Sequence, residues 1–320
     1  MGRLNYETAE TLVYDPVAAN RAATRAALYT LGFRRIETVP TLEDFTDAIR
    51  RKPPDIAFCE AQGAVGDLCR IIQELRQGAG VLNPFIVIMV TAWEKSTTLV
   101  TRVLNSGADD LLLRPFSTAL LGQRVDSHVE RRKGFVVTSD YVGPDRRKDQ
   151  SRPSNVELFE PPNSLKMKAK DRLPPELIAQ RLDVELRAAR EVLNTEKLRR
   201  DAFQISILWR LIQDHMPGAA TYEAELSKIV TMAKAVGRRS RDTDFETAVV
   251  DWCDSILAAA EGLQAGVDRN ASMHLLGHAA LSLNHVFHGE KSTNEILTEI
   301  DATVAIIRAR TVSEAPAAAR

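Results

Sequence analysis

The feature that most constrains this chain is the regular alternation of short apolar runs with amphipathic segments over its first 131 residues. Five apolar runs have the length of β-strands, and a segment with helical spacing of its apolar residues follows each one. The predicted strands are 11–15, 35–39, 55–60, 85–90 and 110–113, and the predicted helices are 17–31, 41–51, 67–77, 94–105 and 117–131. This order predicts a doubly wound α/β domain at 8–131, with a five-stranded parallel sheet between helices.

The pattern stops after residue 131, and a segment without sustained periodicity follows at 132–173. Residues 131–173 hold eleven Lys or Arg against six Asp or Glu, mixed with proline, serine and asparagine. This composition predicts a basic, proline-containing linker or arm. A solvated tether and a phosphate-binding arm both fit it. The short run "FVVTSDYVG" at 135–143 fits either an added edge strand or a segment docked on the first domain.

The remainder of the chain is predicted to be helical. Residues 174–312 form an all-α bundle domain in this interpretation, and 313–320 form a disordered tail. The predicted helices are 176–215, 221–236, 244–265, 271–288 and 293–310. Two capping boxes support these boundaries, Thr243 with Glu246 and Ser292 with Glu295.

Composition excludes several classes of protein. The formal net charge is -1, so electrostatics give no global attraction to nucleic acid or to an anionic membrane. No apolar run approaches the ~20 residues that span a bilayer, and the first residues do not resemble a signal peptide. We therefore expect a cytoplasmic protein without membrane insertion. Three cysteines are too few and too scattered for a disulfide framework or a thiolate metal site.

Polar residues end four of the predicted strands. Asp15 and Glu60 are the last residues of the first and third strands, Thr91 follows the fourth, and Arg114 follows the fifth. The carboxyl ends of parallel strands meet at one edge of a sheet, where loops present side chains to ligands. These four residues are therefore the candidate site.

The segments "LVYDPVAANR", "PDIAFCE", "IVIMVTA" and "GADDLLLRPF" resemble the receiver domain of two-component response regulators over residues 10–131. In that family an acidic pair follows strand one, a phosphoacceptor Asp follows strand three, and Thr or Ser follows strand four. A Lys-Pro pair follows strand five. The resemblance places Pro16 at the second acid, Glu60 at the phosphoacceptor and Arg114 at the lysine.

These departures change what the site is expected to do. Pro16 removes an oxygen ligand, which makes Mg²⁺ binding doubtful, and we expect no cofactor and no metal site. The additional methylene of Glu60 displaces its carboxylate from the position of aspartate, so Glu60 is expected to be a poor phosphoryl acceptor. Arg114 is expected to hold Glu60 through a planar, two-point ion pair. Glu60 then either mimics phospho-aspartate permanently or forms an inert ion pair.

A stripe of histidines is the second distinctive feature. His274, His278, His285 and His288 fall on one face of the helix predicted at 271–288, away from its apolar face. The bundle weakly resembles histidine phosphotransfer domains, in which the reactive His is followed by Lys at the third position and Gly at the fourth. Here Gly277 lies three residues after His274, and no Lys follows; placing Gly277 at the fourth position would put Met273 at the reactive His. The four-residue spacing of His274 and His278 also suits a shared metal ion, without an identifiable third ligand. A polar face or a partner interface is favoured.

Together these observations predict a noncatalytic signalling adaptor, a pseudo-receiver response regulator that is not an enzyme. The resemblance implies partners among two-component proteins, such as a sensor kinase or a phosphotransferase, through the face at 94–131. Trp93 beside this face is expected to be partly exposed, and a core position is the alternative. A phosphorelay component that uses His274 or His278 is the alternative. Nucleic-acid binding is not expected, because the basic cluster "GRRSR" at 237–241 is assigned to a loop. The charged helix that begins at 176 leaves a homodimer open.

Overall fold

The computed structural model describes residues 4–78, 80–137, 141–146, 158–241 and 243–314. The chain divides into two compact units, Met1–Val192 and Leu193–Arg320. Within the described residues, no helix is both long enough and apolar enough to cross a membrane.

The first unit contains the predicted α/β domain. Its strands are β1 (Glu10–Tyr14), β2 (Arg35–Val39), β3 (Ile56–Glu60), β4 (Val87–Ala92) and β5 (Asp110–Leu113). Its helices are α1 (Ala18–Thr30), α2 (Leu42–Arg51), α3 (Val65–Arg76), α4 (Thr97–Asn105) and α5 (Thr118–Glu130). In the described residues these strands form a parallel sheet in the order β2-β1-β3-β4-β5. This is the doubly wound order of flavodoxin-like folds, and the predicted class is confirmed.

Burial explains why these runs form the centre of the sheet. Every residue of β3 and β4 is buried, as expected for strands with helices on both faces. One apolar cluster lies on each side of the sheet. Serine hydroxyls fix two helix starts: Ser96 accepts the amide of Leu99 at the start of α4, and Ser117 accepts the amide of Leu120 at the start of α5. The helix predicted from 94 therefore begins only at Thr97.

The described part of 132–173 is folded rather than an open tether. It contains an antiparallel hairpin of β6 (Phe135–Val137) and β7 (Val142–Pro144), followed by α6 (Ser164–Ala169). This hairpin is a separate two-stranded sheet, so its segment is docked and does not extend the main sheet. An ion-pair network fixes it: Arg132 and the buried Arg76 both contact the buried Asp109. Burial disfavours the charged form of Asp109, but the two arginines outweigh it and lower its pKa.

The second unit is the predicted helical bundle. Helix α7 (Pro175–Ile212) runs through the division between the units, and α8 (Ala220–Arg239), α9 (Glu246–Ala265), α10 (Arg269–Phe287) and α11 (Thr293–Glu314) follow. The carboxyl-terminal part of α7 supplies Leu198, Ile205 and Ile212 to a core shared with α8, α9 and α10.

One of the two predicted capping boxes is confirmed. At the start of α11, Ser292 and Glu295 bond reciprocally, with the Ser292 amide donating to the Glu295 carboxylate at 2.8 Å. The box at Thr243 is wrong, because α9 begins only at Glu246 and Phe245 is its N-cap. The hydroxyl of Thr243 donates instead to the carbonyl of Ser240 at 2.5 Å.

Candidate functional site

The structure brings the four strand-end residues together at the carboxyl edge of the sheet. Asp15 follows β1, Glu60 ends β3, and Thr91 lies opposite Glu60 in the parallel register of β3 and β4. Arg114 follows β5 and is tied to β4 by its amide, which donates to the carbonyl of Ala92 at 2.7 Å. Strand register alone therefore aligns Glu60 with Thr91, and the hydrogen bond from the Arg114 amide to Ala92 brings Arg114 to the same edge.

Glu60 is fully buried, and both of its carboxylate oxygens accept hydrogen bonds. Oε2 accepts the hydroxyl of Thr91 at 2.8 Å and the Nε–H of Arg114 at 2.8 Å. Oε1 accepts the backbone amide of Gln62 at 3.1 Å. A buried carboxylate needs such partners, because loss of its hydration is otherwise costly. The length of glutamate therefore serves to reach three donors from three different chain segments.

Arg114 joins two carboxylates. While its Nε contacts Glu60, its Nη2 donates to Asp15 Oδ2 at 3.2 Å and to the Thr24 hydroxyl at 2.9 Å. Its side chain is 8% exposed and lies over the ring of Phe116, with the guanidinium carbon 4.9 Å from the ring centroid. The predicted two-point ion pair with Glu60 alone is wrong, because the second nitrogen is used by Asp15. One cation thus bridges two buried acids.

Asp15 is held from its own loop as well. Its Oδ1 accepts the backbone amide of Val17 at 2.8 Å, and Arg21 donates to its backbone carbonyl. Burial raises the pKa of Asp15 above its usual range, while the Val17 amide and Arg114 act in the opposite direction. Pro16 lies between Asp15 and Val17 and has no carboxylate. The loop therefore positions one acid only.

Sequence reasoning missed Thr24, which is buried on α1 rather than at a strand end. The available signal was its position: α1 begins directly after the β1 loop, so its first turns border the same edge of the sheet. The amide of Gln62 could not be found from side-chain types at all. Leu111 packs against the core on the face of the sheet shared by α2, α3 and α4.

The histidine stripe lies on α10, largely as predicted. His274, His278 and His285 are exposed, whereas His288 is partly buried, and burial lowers its pKa. The edge of the Trp252 ring contacts the His278 ring, with centroids 5.5 Å apart. These groups border a shallow cavity of about 420 Å³, whose described lining contains no lysine or arginine. In the described residues, no three His, Cys, Asp or Glu side chains are placed to hold a metal ion.

Gly277 has a packing role in this helix. A Cβ at this position would lie 2.3 Å from Cζ2 of Trp209 on α7. Only glycine lets α10 approach the indole this closely. The glycine that was weighed as part of a phosphotransfer motif is therefore explained by the contact between α7 and α10.

The described basic residues of 132–173 bond largely within the protein. Lys168 pairs with Asp55 at 2.7 Å, and Lys170 pairs with Glu130. Farther along the chain, the first arginines of "GRRSR" lie in the last turn of α8 rather than in a loop, and Arg239 pairs with Asp201. These cations are engaged with protein acids, which weakens both basic segments as phosphate-binding surfaces.

No protein-family model matches this sequence. No curated protein matches it either. Among solved structures, it is similar to a response regulator from Thermotoga maritima, with 21% identity over 37% of this chain and 96% of that chain and a TM-score of 0.33. A response regulator signal receiver domain from Bermanella marisrubri is 23% identical over 38% of this chain and 98% of that chain, with a TM-score of 0.34. A putative pilus assembly-related protein from Burkholderia pseudomallei is 15% identical over 39% of this chain and 92% of that chain, also with a TM-score of 0.34.

Proposed function

We propose that this protein is a noncatalytic signalling adaptor of the two-component type, in which a receiver-like domain acts through protein contacts and not through its own phosphorylation. One observation carries the proposal: the guanidinium of Arg114 lies between Asp15 and Glu60 and donates to both. The family resemblance of residues 10–131 supplies the signalling context.

The donor set does not fit Mg²⁺. Octahedral Mg²⁺ requires oxygen ligands at about 2.0–2.1 Å and strongly prefers carboxylates and water. The two carboxylates at this edge already bind a cation that is part of the chain, and Pro16 contributes no ligand. A metal ion would have to displace Arg114, which leaves a buried guanidinium without its acids. We therefore propose that no divalent ion takes part.

Phosphoryl transfer to Glu60 is disfavoured by the same contacts. A nucleophilic carboxylate needs a free oxygen aligned with the incoming phosphorus, and positioning dominates this chemistry. Both oxygens of Glu60 accept hydrogen bonds, and the residue is completely buried. Thr91 and Arg114 are the two groups that the family resemblance directs to an incoming phosphoryl group. Here they are bonded to Glu60, which supports its role as a fixed substitute for phospho-aspartate.

The partner surface proposed for the adaptor is the face of α4, β5 and α5. Trp93, which precedes α4, is 45% exposed, and Leu120 on α5 is also exposed. Exposed aromatic residues are enriched at protein interfaces, where they supply much of the binding energy. The proposed partners are other two-component proteins, a sensor kinase or a phosphotransferase.

The test of noncatalytic behaviour is incubation of the full chain with acetyl phosphate and Mg²⁺, followed by intact-mass analysis that preserves acyl and histidyl phosphates. The expected result is no added phosphoryl group on the wild type. Glu60→Asp alone is expected to remain unmodified while Arg114 occupies the site, and Glu60→Asp combined with Arg114→Lys tests whether the pocket can be restored. A phosphoryl group mapped to Glu60 or Asp15 of the wild type overturns the proposal.

The same experiment addresses the phosphorelay alternative. His274 and His278 are exposed on α10, as a phosphoryl carrier must be. A phosphoryl group mapped to α10 that disappears in His274→Gln or His278→Gln would favour this alternative. The described lining of the cavity beside His278 contains no lysine or arginine, so we expect no phosphoryl group on α10.

A second measurement separates a phospho-aspartate mimic from an inert ion pair. Glu60→Gln keeps the size and most hydrogen bonds of the side chain but removes its charge. If Glu60 holds the domain in a signalling state, hydrogen exchange in α4 and α5 should change on substitution. Exchange that changes only at the residues in direct contact with Glu60 favours the inert pair.

A further inference from the structure

A cavity of about 400 Å³ lies at the opposite edge of the sheet from the candidate site, beside the amino-terminal ends of β1, β2 and β3. Its volume falls within the range of about 300–1,000 Å³ that is typical of small-molecule sites. One wall is apolar and comes mainly from Ile178, Leu182 and Leu186 on the first turns of α7. All of the described lining belongs to the first unit.

The opposite wall is charged, and its charges do not balance. Arg35 and Lys52 share one carboxylate, that of Glu10, at 2.9 Å each. Lys168 pairs with Asp55 at 2.7 Å, and Asp55 also accepts the backbone amide of Glu10. Among the described residues, the wall therefore holds three cations against two acids, an excess of one positive charge.

The two layers of this charged wall differ in exposure. The pair of Lys168 and Asp55 is largely buried and internally neutral, so it forms a polar floor. Arg35 and Lys52 are more than half exposed and form the rim. The unbalanced charge therefore lies at the rim, where an incoming anion meets it without first breaking a buried ion pair.

We propose that this cavity binds a small amphipathic monoanion, with an apolar body against α7 and an anionic head at the rim cations Arg35 and Lys52. A single negative charge neutralises the excess on the wall. A second negative charge would meet Glu10 and Asp55, so a monoanion fits better than a dianion. A neutral molecule of the same shape would gain the apolar contacts but leave the charge unbalanced. The shared chemistry is an apolar body with one singly charged head, either a carboxylate or a sulfate ester.

Binding is tested on the full chain with anilinonaphthalene sulfonate, a fluorescent amphipathic monoanion, and with N-phenylnaphthylamine, its uncharged counterpart. The expected result is saturable binding of the sulfonate to one site and weaker binding of the amine. The double variant Arg35→Gln/Lys52→Gln should weaken sulfonate binding about threefold to tenfold, the size expected for exposed ion pairs, and leave amine binding unchanged. Arg51→Gln is the matched control, since Arg51 carries the same charge on the neighbouring helix but does not line the cavity.

A cavity-filling substitution separates this site from other apolar surfaces. Ala179 lines the cavity from an exposed position on α7, so Ala179→Trp should fill it without disturbing the core and abolish binding of both probes. Competition by octanoate, octyl sulfate and octanol then distinguishes the head groups, and octanol should compete least. Sulfonate binding that survives Ala179→Trp, or that responds equally to Arg51→Gln and to the rim variant, overturns the proposal. So does equal affinity for the charged and uncharged probes.

Discussion

Replacing Arg114 by methionine is the most direct perturbation of the candidate site. Methionine keeps an extended apolar side chain against Phe116 but removes the guanidinium that contacts Glu60, Asp15 and Thr24. Two fully buried carboxylates then lose the cation that joins them. The free energy of unfolding of the first unit should therefore fall sharply at neutral pH.

The size of this loss follows from the contacts. Removing one partner of a buried ion pair typically costs about 3–5 kcal/mol, because the other charge is left uncompensated. Some compensation remains here: Glu60 keeps the Thr91 hydroxyl and the Gln62 amide, and Asp15 keeps an amide of its loop. Solvent screening removes little, since the Arg114 side chain is only 8% exposed. We expect a loss of about 3–4 kcal/mol at pH 7.

The pH dependence of this loss of stability is a second, independent prediction. Burial raises the pKa of Asp15, and Arg114 opposes this rise, so Arg114→Met should raise that pKa further. A carboxyl whose pKa is higher in the folded than in the unfolded state destabilises the fold at pH values where it is ionised in both states. That loss is recovered as the pH falls through the folded-state pKa. The difference between wild type and variant should therefore shrink as the pH falls from 7 toward about 4, the unfolded pKa of aspartate.

Hydrogen exchange of the β3 and β4 amides measures this free energy, and the amides of α9 in the second unit serve as an internal control. The variant Glu60→Gln/Arg114→Met should be less destabilised than the sum of its single changes, because it removes the cation and one of its two acids together. A loss below about 1 kcal/mol that does not depend on pH would refute the account of the site, since that value is typical of an exposed ion pair.

Three further predictions concern the surrounding structure. Gly277→Ala should destabilise the second unit by about 1–3 kcal/mol in urea denaturation, because the new methyl group overlaps Trp209 and forces the helices apart. Asp109→Asn should cost about 3–5 kcal/mol, because it leaves the buried Arg76 without its acid. The pKa of Asp109 is lowered in the folded state, so the wild type should lose this stabilisation as the pH falls through the folded-state pKa of Asp109. The stability of the variant should not show this pH dependence. Ser292→Ala should cost about 1 kcal/mol and speed hydrogen exchange in the first turn of α11.

The sequence predicts the sheet and the residues at its carboxyl edge well, because both depend on local patterns. The period of apolar residues locates β2 and β5 to the residue, and β4 begins two residues later than expected. Strand ends then follow from the strands, which is why Asp15, Glu60, Thr91 and Arg114 could be grouped before any contact was known.

What local patterns cannot provide is the pairing of charges that are distant in sequence. Arg76 has the position of an ordinary basic residue in the last turn of α3, yet it is completely buried and donates to the backbone carbonyls of Gly107, Pro84 and Ile86. Its acid, Asp109, lies 33 residues away on another segment. The same limit applied to Arg114, whose second acid was not anticipated. It also applied to the hairpin beside Arg76, for which the sequence left an edge strand and a docked segment equally open.

The substitutions at Glu60 and Arg114 are best understood as dependent on each other. A glutamate in this buried position without Arg114 would carry a charge satisfied only by neutral donors, and an arginine without Glu60 would bring a buried cation to Asp15 alone. Lysine could not replace the arginine, because its single ammonium nitrogen does not present two separated donors to two carboxylates. Together, these two residues therefore place a guanidinium between the two acids of the pocket and neutralise one of them. In the function proposed above, a receiver-like domain with this buried ion pair keeps its fold and its signalling surface and does not use the chemistry of phosphorylation.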